Sequence, residues 1–215
     1  MQFICQYEHW TPILTKVNRE HLREYLNQIV IVLLLVYIVF LQVEVAMFRD
    51  LDSRPSQREV DAVHEWLQSK HAFHVMRDHP GHDLPMLAGM WGLKLTGTPL
   101  AGRSSSSSDD NNLKPILRRI FLAILRHTSA YWEYWDPQTD QMILRRFFWP
   151  WAKTIMLQHD SFHCDLFAKS RSWPSQRPEG QLDNFVGSPV SLNATLTDEC
   201  PLRCRPREHP EWKQC

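Results

Sequence analysis

Between Val43 and Asp78 the period of the apolar positions changes twice. "VEVAMF" (Val43–Phe48) reads as a buried β-strand of the kind found at the centre of a parallel sheet. Val60, Val63, Trp66 and Leu67 then recur at helical spacing, which predicts an amphipathic helix over Ser56–Ser69. Ser56-Gln57-Arg58-Glu59 matches a capping box, with Pro55 just before it. "AFHVMRD" (Ala72–Asp78) reads as the next strand. Strand, loop, helix, strand is an α/β alternation, and it sets the intervening loop at a strand's C-terminal end, where open α/β sheets bind ligands.

The pattern further along is less regular. His79–Leu95 reads as a loop in which Gly89 and Gly92 allow close backbone approach. Gly97–Asn112, "GTPLAGRSSSSSDDNN", is a polar low-complexity insertion without apolar anchors. Leu113–His127 returns to helix, with Ile116, Leu117, Ile120, Phe121, Ile124 and Leu125 on one face. Thr139–Leu157 predicts a second helix, with Thr139 as N-cap and Pro150 interrupting it. Prolines, glycines and cysteines punctuate the chain from Ser170 onward and predict an irregular lobe.

Ile29–Leu41 is apolar without interruption. As a helix it spans only ~20 Å, short of the ~30 Å hydrocarbon core. Extension to Phe48 reaches the length needed but takes in Gln42 and Glu44. Two readings stay open: a membrane anchor ending near Leu41, with membrane association through residues 29–48, and buried apolar chain leading into the strand. The expected organisation is an N-terminal segment over 1–42, an α/β domain over 43–199 and a cysteine-rich tail over 200–215.

Composition narrows the class. Twenty-four basic side chains balance 24 acidic ones, so no basic field points to nucleic acid. Of five cysteines, Cys164, Cys200, Cys204 and Cys215 crowd the C-terminal region, and the N-glycosylation sequence Asn193-Ala194-Thr195 stands just before the last three. That pairing favours disulfides and an oxidising compartment: the secretory lumen, a membrane of that pathway or the exterior. Four cysteines allow three pairings, and the sequence does not choose among them. The spacing Cys200-x3-Cys204-x4-His209-x5-Cys215 offers a rival, a zinc knuckle, which it misses at two gaps.

"FRDLDSR" carries the candidate chemistry. Asp50 and Asp52 stand one residue apart between Arg49 and Arg54, in the loop that leaves the first strand. Two carboxylates so placed repel each other unless a hard divalent cation neutralises both, and such a cation also neutralises a bound diphosphate. The arginines contact phosphate or hold the loop. "LQHDSFHC" (Leu157–Cys164) adds His159 and His163, whose imidazoles suit manganese or zinc. Asp140 at a helix start also has a purely structural reading, since it complements the helix dipole.

"FRDLDSR", "FHVMRDHPGHDLPMLAGMWGLK", "TDQMILRRFFWPWA", "HDSFHC", "NFVG" and "CRPREHPEWKQC" together resemble a glycosyltransferase-like family with an RDxDSR motif. More distantly the order of motifs is similar to retaining glycosyltransferases of the GT-A fold. The resemblance covers Val43–Cys215, apart from Gly97–Asn112. It implies an α/β, Rossmann-like, partial GT-A domain, with a nucleotide-sugar as donor and a glycan as acceptor. It implies Mn2+ or another divalent cation on Asp50 and Asp52, with His159 as third ligand and His163 as second choice. Gly89 and Trp91 would line the sugar or acceptor side, and Asp140 and Gln141 would stand at the transferred sugar. Only 49 residues precede Asp50, so the expectation is a truncated nucleotide lobe. The alternative is a non-catalytic lumenal or extracellular protein, membrane-tethered or free, that keeps the fold.

Overall fold

The computed structural model describes residues 2–4, 44–50, 52–95, 113–128, 139–193 and 195–215. The Ile29–Leu41 run and the Gly97–Asn112 insertion lie outside them. The described chain is an α/β fold around a mixed six-stranded sheet. In chain order the strands are β1 (Gln2–Ile4), β2 (Val45–Arg49), β3 (Phe73–Arg77), β4 (Met90–Lys94), β5 (Met156–Asp160) and β6 (Ser170–Arg171). Across the sheet they run β1-β2-β4-β3-β5-β6. β4 is antiparallel to both its neighbours and β1 is antiparallel to β2, while β3, β5 and β6 are mutually parallel. β2 therefore points the same way as β3 and β5, and all three discharge their loops at one edge.

Side-chain alternation divides the core into two layers. Ala46, Phe48, Phe73, Val75, Trp91 and Leu93 face one side, Met47, Met76 and Met90 the other. The first face packs against α2 (Lys114–Thr128) and against α3 (Thr139–Ile143) with its continuation to Ala152, through Leu117, Ile143, Leu144 and Phe148. The second packs against α1 (Gln57–Gln68) through Ala62 and Trp66. Helices cover both faces of the sheet, which is why its central strands read as nearly unbroken apolar runs.

Helix α1 follows its sequence signals closely. Ser56 Oγ accepts from the Glu59 N–H at 3.2 Å, as a capping box requires. The reciprocal half is absent, because the Glu59 carboxylate pairs with Arg49 Nε at 2.7 Å. At the other end Lys94 Nζ donates to the carbonyls of Trp66 (2.9 Å) and Ser69 (2.8 Å), satisfying the helix C-terminus from the neighbouring strand.

Three expectations need correction. β2 is not flanked by parallel strands but lies between two antiparallel neighbours, β1 and β4. Met90–Lys94 is not loop but an inner strand. Its central residue is Gly92, where a Cβ would stand 2.6 Å from Met47 Sδ and 3.0 Å from the Trp66 ring, so glycine lets Met47 and Trp66 approach the strand this closely. The helix predicted to reach Leu157 ends at Ala152, and Met156–Asp160 is strand β5. Pro150 acts upstream of itself. Its ring excludes a regular turn, and Leu144–Phe148 widens to a π-turn in which the Trp149 N–H reaches the Leu144 carbonyl.

Beyond β6 the chain is irregular, as expected, and two disulfides hold it. Cys164 joins Cys204 and Cys200 joins Cys215, with Cα separations of 5.5 and 5.9 Å. The zinc-knuckle alternative loses its thiolates to these bonds. His209 instead stacks on Trp212 with ring centroids 4.3 Å apart. Among the described residues no helix is long and apolar enough to cross a membrane. Opening Cys164–Cys204, which spans 40 residues, by a Cys164→Ala, Cys204→Ala pair is expected to lower unfolding free energy by about 3 kcal/mol, read by urea denaturation.

Candidate functional site

Asp50 follows β2, Asp78 follows β3, Asp160 closes β5, and Gly89 immediately precedes β4. The register thus collects the strand-end carboxylates along one edge of the sheet. Asp50 and Asp52 are both exposed there, on a loop anchored from three directions. Ser53 Oγ donates to the Asp50 carbonyl at 3.2 Å. The Val190 N–H donates to the Asp52 carbonyl at 2.6 Å, and Ser53 pairs with Pro189 in an isolated antiparallel bridge. From below, Arg49 Nη2 donates to the Arg54 carbonyl at 3.3 Å.

The two arginines of the motif divide the roles expected of them. Arg49 is 3% exposed, salt-bridged to Glu59, and holds the loop. Its Nη1 is buried without a hydrogen-bond partner among the described residues. Arg54 is exposed and stands 3.9 Å from Asp183, leaving it open to solvent-borne anions.

Three further predicted residues meet this loop. A Cβ on Gly89 would overlap the Asp50 carboxylate, so the bare glycine is the floor on which Asp50 rests. Asp140, in the first turn of α3, lies within electrostatic reach of Asp50. Although Asp50 is exposed as a residue, its carboxyl group lies against Gly89, and this partial desolvation first, then the neighbouring charge of Asp52, and more weakly Asp140, push it above the usual carboxylate range. Burial likewise raises Asp140, against the hydrogen bond that its carboxylate accepts from the Gln141 N–H at 2.7 Å. Gln141 faces the backbone of the loop before Gly89.

The histidines and the tryptophan do not join them. β5 stands three strand positions from β2, ~14 Å at ordinary spacing, so His159 and the following His163 belong to another part of the edge. His159 is fully buried with both ring nitrogens engaged, Nδ1 to His74 Nε2 at 2.8 Å and Nε2 to Glu65 at 3.1 Å. It is a core hydrogen-bonding residue and not a third ligand beside Asp50 and Asp52. His163 Nδ1 stands 3.9 Å from Asp160 Oδ1, the carboxylate that closes β5. Trp91 is 3% exposed and stacks on Phe48 at 3.8 Å between centroids, so it builds the core and lines no cleft.

Among the described residues, Asp160, Cys164 and Cys204 bring three ligand-type atoms within 4.8 Å of one another. The sulfurs are bonded to each other, and sulfur is too soft a donor for Mn2+. The Asp160 carboxylate is already filled by Arg77 Nε (2.6 Å), by the N–H groups of Phe162 (3.0 Å) and His163 (2.7 Å), and by Ser170 Oγ.

Sequence reasoning missed the scaffold beneath the site. Asp78, fully buried, takes Arg58 in a two-pronged bond (2.9 Å each), the Ser161 hydroxyl (2.6 Å) and the Val186 N–H (3.0 Å). Arg58 also donates to the carbonyls of Ser175 and Cys215. Val186 belongs to the "NFVG" segment, whose Gly187 has φ +88° and sits on Met90 Sδ where no side chain fits. Four residues on, Val190 reaches Asp52. The only sequence signal for this scaffold was an Arg-Asp pair closing a strand at Arg77-Asp78. His79 and His82 continue from it and pack against Phe185. Asn193 lies exposed just past the same segment, accessible as a glycan acceptor.

Compared with protein-family models, curated proteins and solved structures, the chain matches none of them.

Burial, aided by the charge of His79, lowers His82 from 6.5 to about 4. The native state therefore stays neutral at His82 while the unfolded chain takes up a proton as pH falls through 6.5, and its contribution to stability is lost between pH 6.5 and 4. His82→Gln is expected to flatten this acid slope, by up to about 3 kcal/mol between the two limits, as measured by urea denaturation at pH 7 and pH 4.5.

Proposed function

We propose that the chain is a glycosyltransferase-like protein that transfers a hexose from a nucleotide-sugar donor to a glycan acceptor with a divalent cation at Asp50 and Asp52. The observation that carries the reading is the convergence of the Asp50–Asp52 loop, the glycine floor at Gly89 and the Asp140 carboxyl at one edge of the sheet. Desolvation of the carboxyl and, after it, the charge of Asp52 raise Asp50, and a cation would offset both by stabilising the ionised pair. The donors are hard carboxylate oxygens, as Mn2+ or Mg2+ requires. A cation bound there supplies charge neutralisation for a departing diphosphate.

This chain's own residues then have defined tasks. Arg49 and Glu59 fix the loop from below, and Arg54, exposed and only loosely paired with Asp183, contacts a phosphate. In the transfer the bond from the anomeric carbon to the diphosphate oxygen breaks, its electron pair leaving with the diphosphate. The acceptor oxygen bonds to that carbon and gives up its proton. Burial holds the Asp140 carboxyl above the ordinary range, which suits it to receive that proton as general base. His159, His163 and Trp91 have no part in this arrangement. The disulfides and the exposed Asn193 sequon support a secretory or extracellular setting.

Calorimetric titration of the purified chain with uridine and guanosine diphosphates, with and without Mn2+, tests the reading. Metal-dependent binding is expected, weakened at least tenfold (about 1.4 kcal/mol) in Asp50→Asn and in Asp52→Asn. Folded protein that binds neither nucleotide in the presence of Mn2+ would sink it, and would leave a non-catalytic lumenal protein as the better account.

A further inference from the structure

The first turn of α3 sends two adjacent side chains toward the Asp50 loop, and only one of them carries charge. Gln141 spans the loop before β4. The side-chain amide is assigned the orientation its neighbours require, nitrogen toward the Met86 carbonyl and oxygen toward the Ala88 N–H; so turned, Nε2 donates to Met86 at 2.7 Å and Oε1 accepts from Ala88 at 2.9 Å. The loop is closed on its other side by the Met90 N–H, which donates to the Leu87 carbonyl at 3.1 Å. Met86 and Ala88 are 2% and 6% exposed, so the backbone groups bridged by Gln141 have little access to water and depend on the amide. The residue that follows is Gly89, against which the Asp50 carboxylate rests.

An amide is the side chain this task needs, since one end must donate and the other accept along a single planar group. A carboxylate would accept from Ala88 but leave the Met86 carbonyl without a donor. A hydrocarbon of the same size would leave both groups unmet. Gln141 thereby couples the helix that delivers Asp140 to the loop that seats Asp50.

We propose that Gln141 is a positioning residue, not a catalytic one: its amide clamps Met86–Gly89 and so fixes where the Asp50 carboxylate stands relative to Asp140. The consequence for binding rests on the donor-site reading above, whereas the clamp itself does not.

Hydrogen–deuterium exchange of the Ala88 amide, followed by NMR on the full chain, reads the clamp. Titration with Mn2+ and uridine diphosphate reads its effect. In Gln141→Leu the Ala88 amide is expected to exchange at least tenfold faster while amides of β3 and β5 keep their wild-type rates. Nucleotide affinity in Mn2+ is expected to fall at least tenfold with the thermal midpoint held within a few degrees. Gln141→Glu, which retains the acceptor, is expected to restore protection at Ala88, and it decides the matter if the leucine variant does not fold. Unchanged Ala88 exchange in Gln141→Leu, or no recovery of protection in Gln141→Glu, overturns the clamp. Should the wild type bind Mn2+ and nucleotide and the leucine variant bind them equally well, the positioning role falls. A wild type that binds neither defeats the donor-site reading alone, and the exchange rate still decides the clamp.

Discussion

The buried carboxylate of Asp78 is the junction on which the functional edge of this protein depends. It joins α1 through Arg58, the β5 exit through Ser161, and the 184–190 segment through the Val186 amide. Arg58 extends the junction to the carbonyl of Cys215, whose side chain is bonded to Cys200. A charge at 0% exposure is tolerable only when its partners are complete, and here the carboxylate receives four donors. Loss of either member of the Arg58–Asp78 pair would strand the other in the interior, a situation that typically costs about 3–5 kcal/mol. A second pair, Arg77 with Asp160, repeats the arrangement one residue earlier along β3 and is equally shielded from water.

These polar junctions explain how an irregular C-terminal lobe acquires a fixed position. It has few regular elements to dock, so disulfides and buried ion pairs take the place of helix packing. The aspartate loop is then held by segments remote in sequence: Val190 reaches Asp52, Pro189 pairs with Ser53, and Glu59 holds Arg49. Such restraint from several sides suits a loop whose two exposed carboxylates repel each other.

Much of the central unit was legible in the chain because its signals are local. The Ser56 cap, the Val60–Leu67 periodicity and the apolar run of β3 each act over a few residues, and each gave its element. β4 stayed hidden because Gly89 and Gly92 imitate a loop, and their reason lies in Asp50, Met47 and Trp66, far away in sequence. β5 was absorbed into a helix because its first residues continue the apolar content of the segment before it. The misreading of His159 has a different origin. A histidine near the end of a strand looks the same whether it faces a cleft or the interior, and the neighbours that decide it, His74 and Glu65, lie 85 and 94 residues away. Asp140 and Gln141 were picked out as a pair, but their separate tasks became visible only once the loop before β4 was in place.

The antiparallel course of β4 carries one more consequence. Because it enters at the edge where the carboxylates gather, it must leave at the opposite edge, where Lys94 is the partner of Val45. There the Leu113 N–H donates to the Leu95 carbonyl at 3.3 Å, so the chain departs and returns at a single hydrogen-bonded point. Whatever lies between them joins the fold through a closed neck on the side away from Asp50. Lengthening such a segment costs only the slow logarithmic growth of loop entropy, ~0.6 kcal/mol per doubling. A change of length there would therefore cost the fold little and would leave the carboxylate edge untouched.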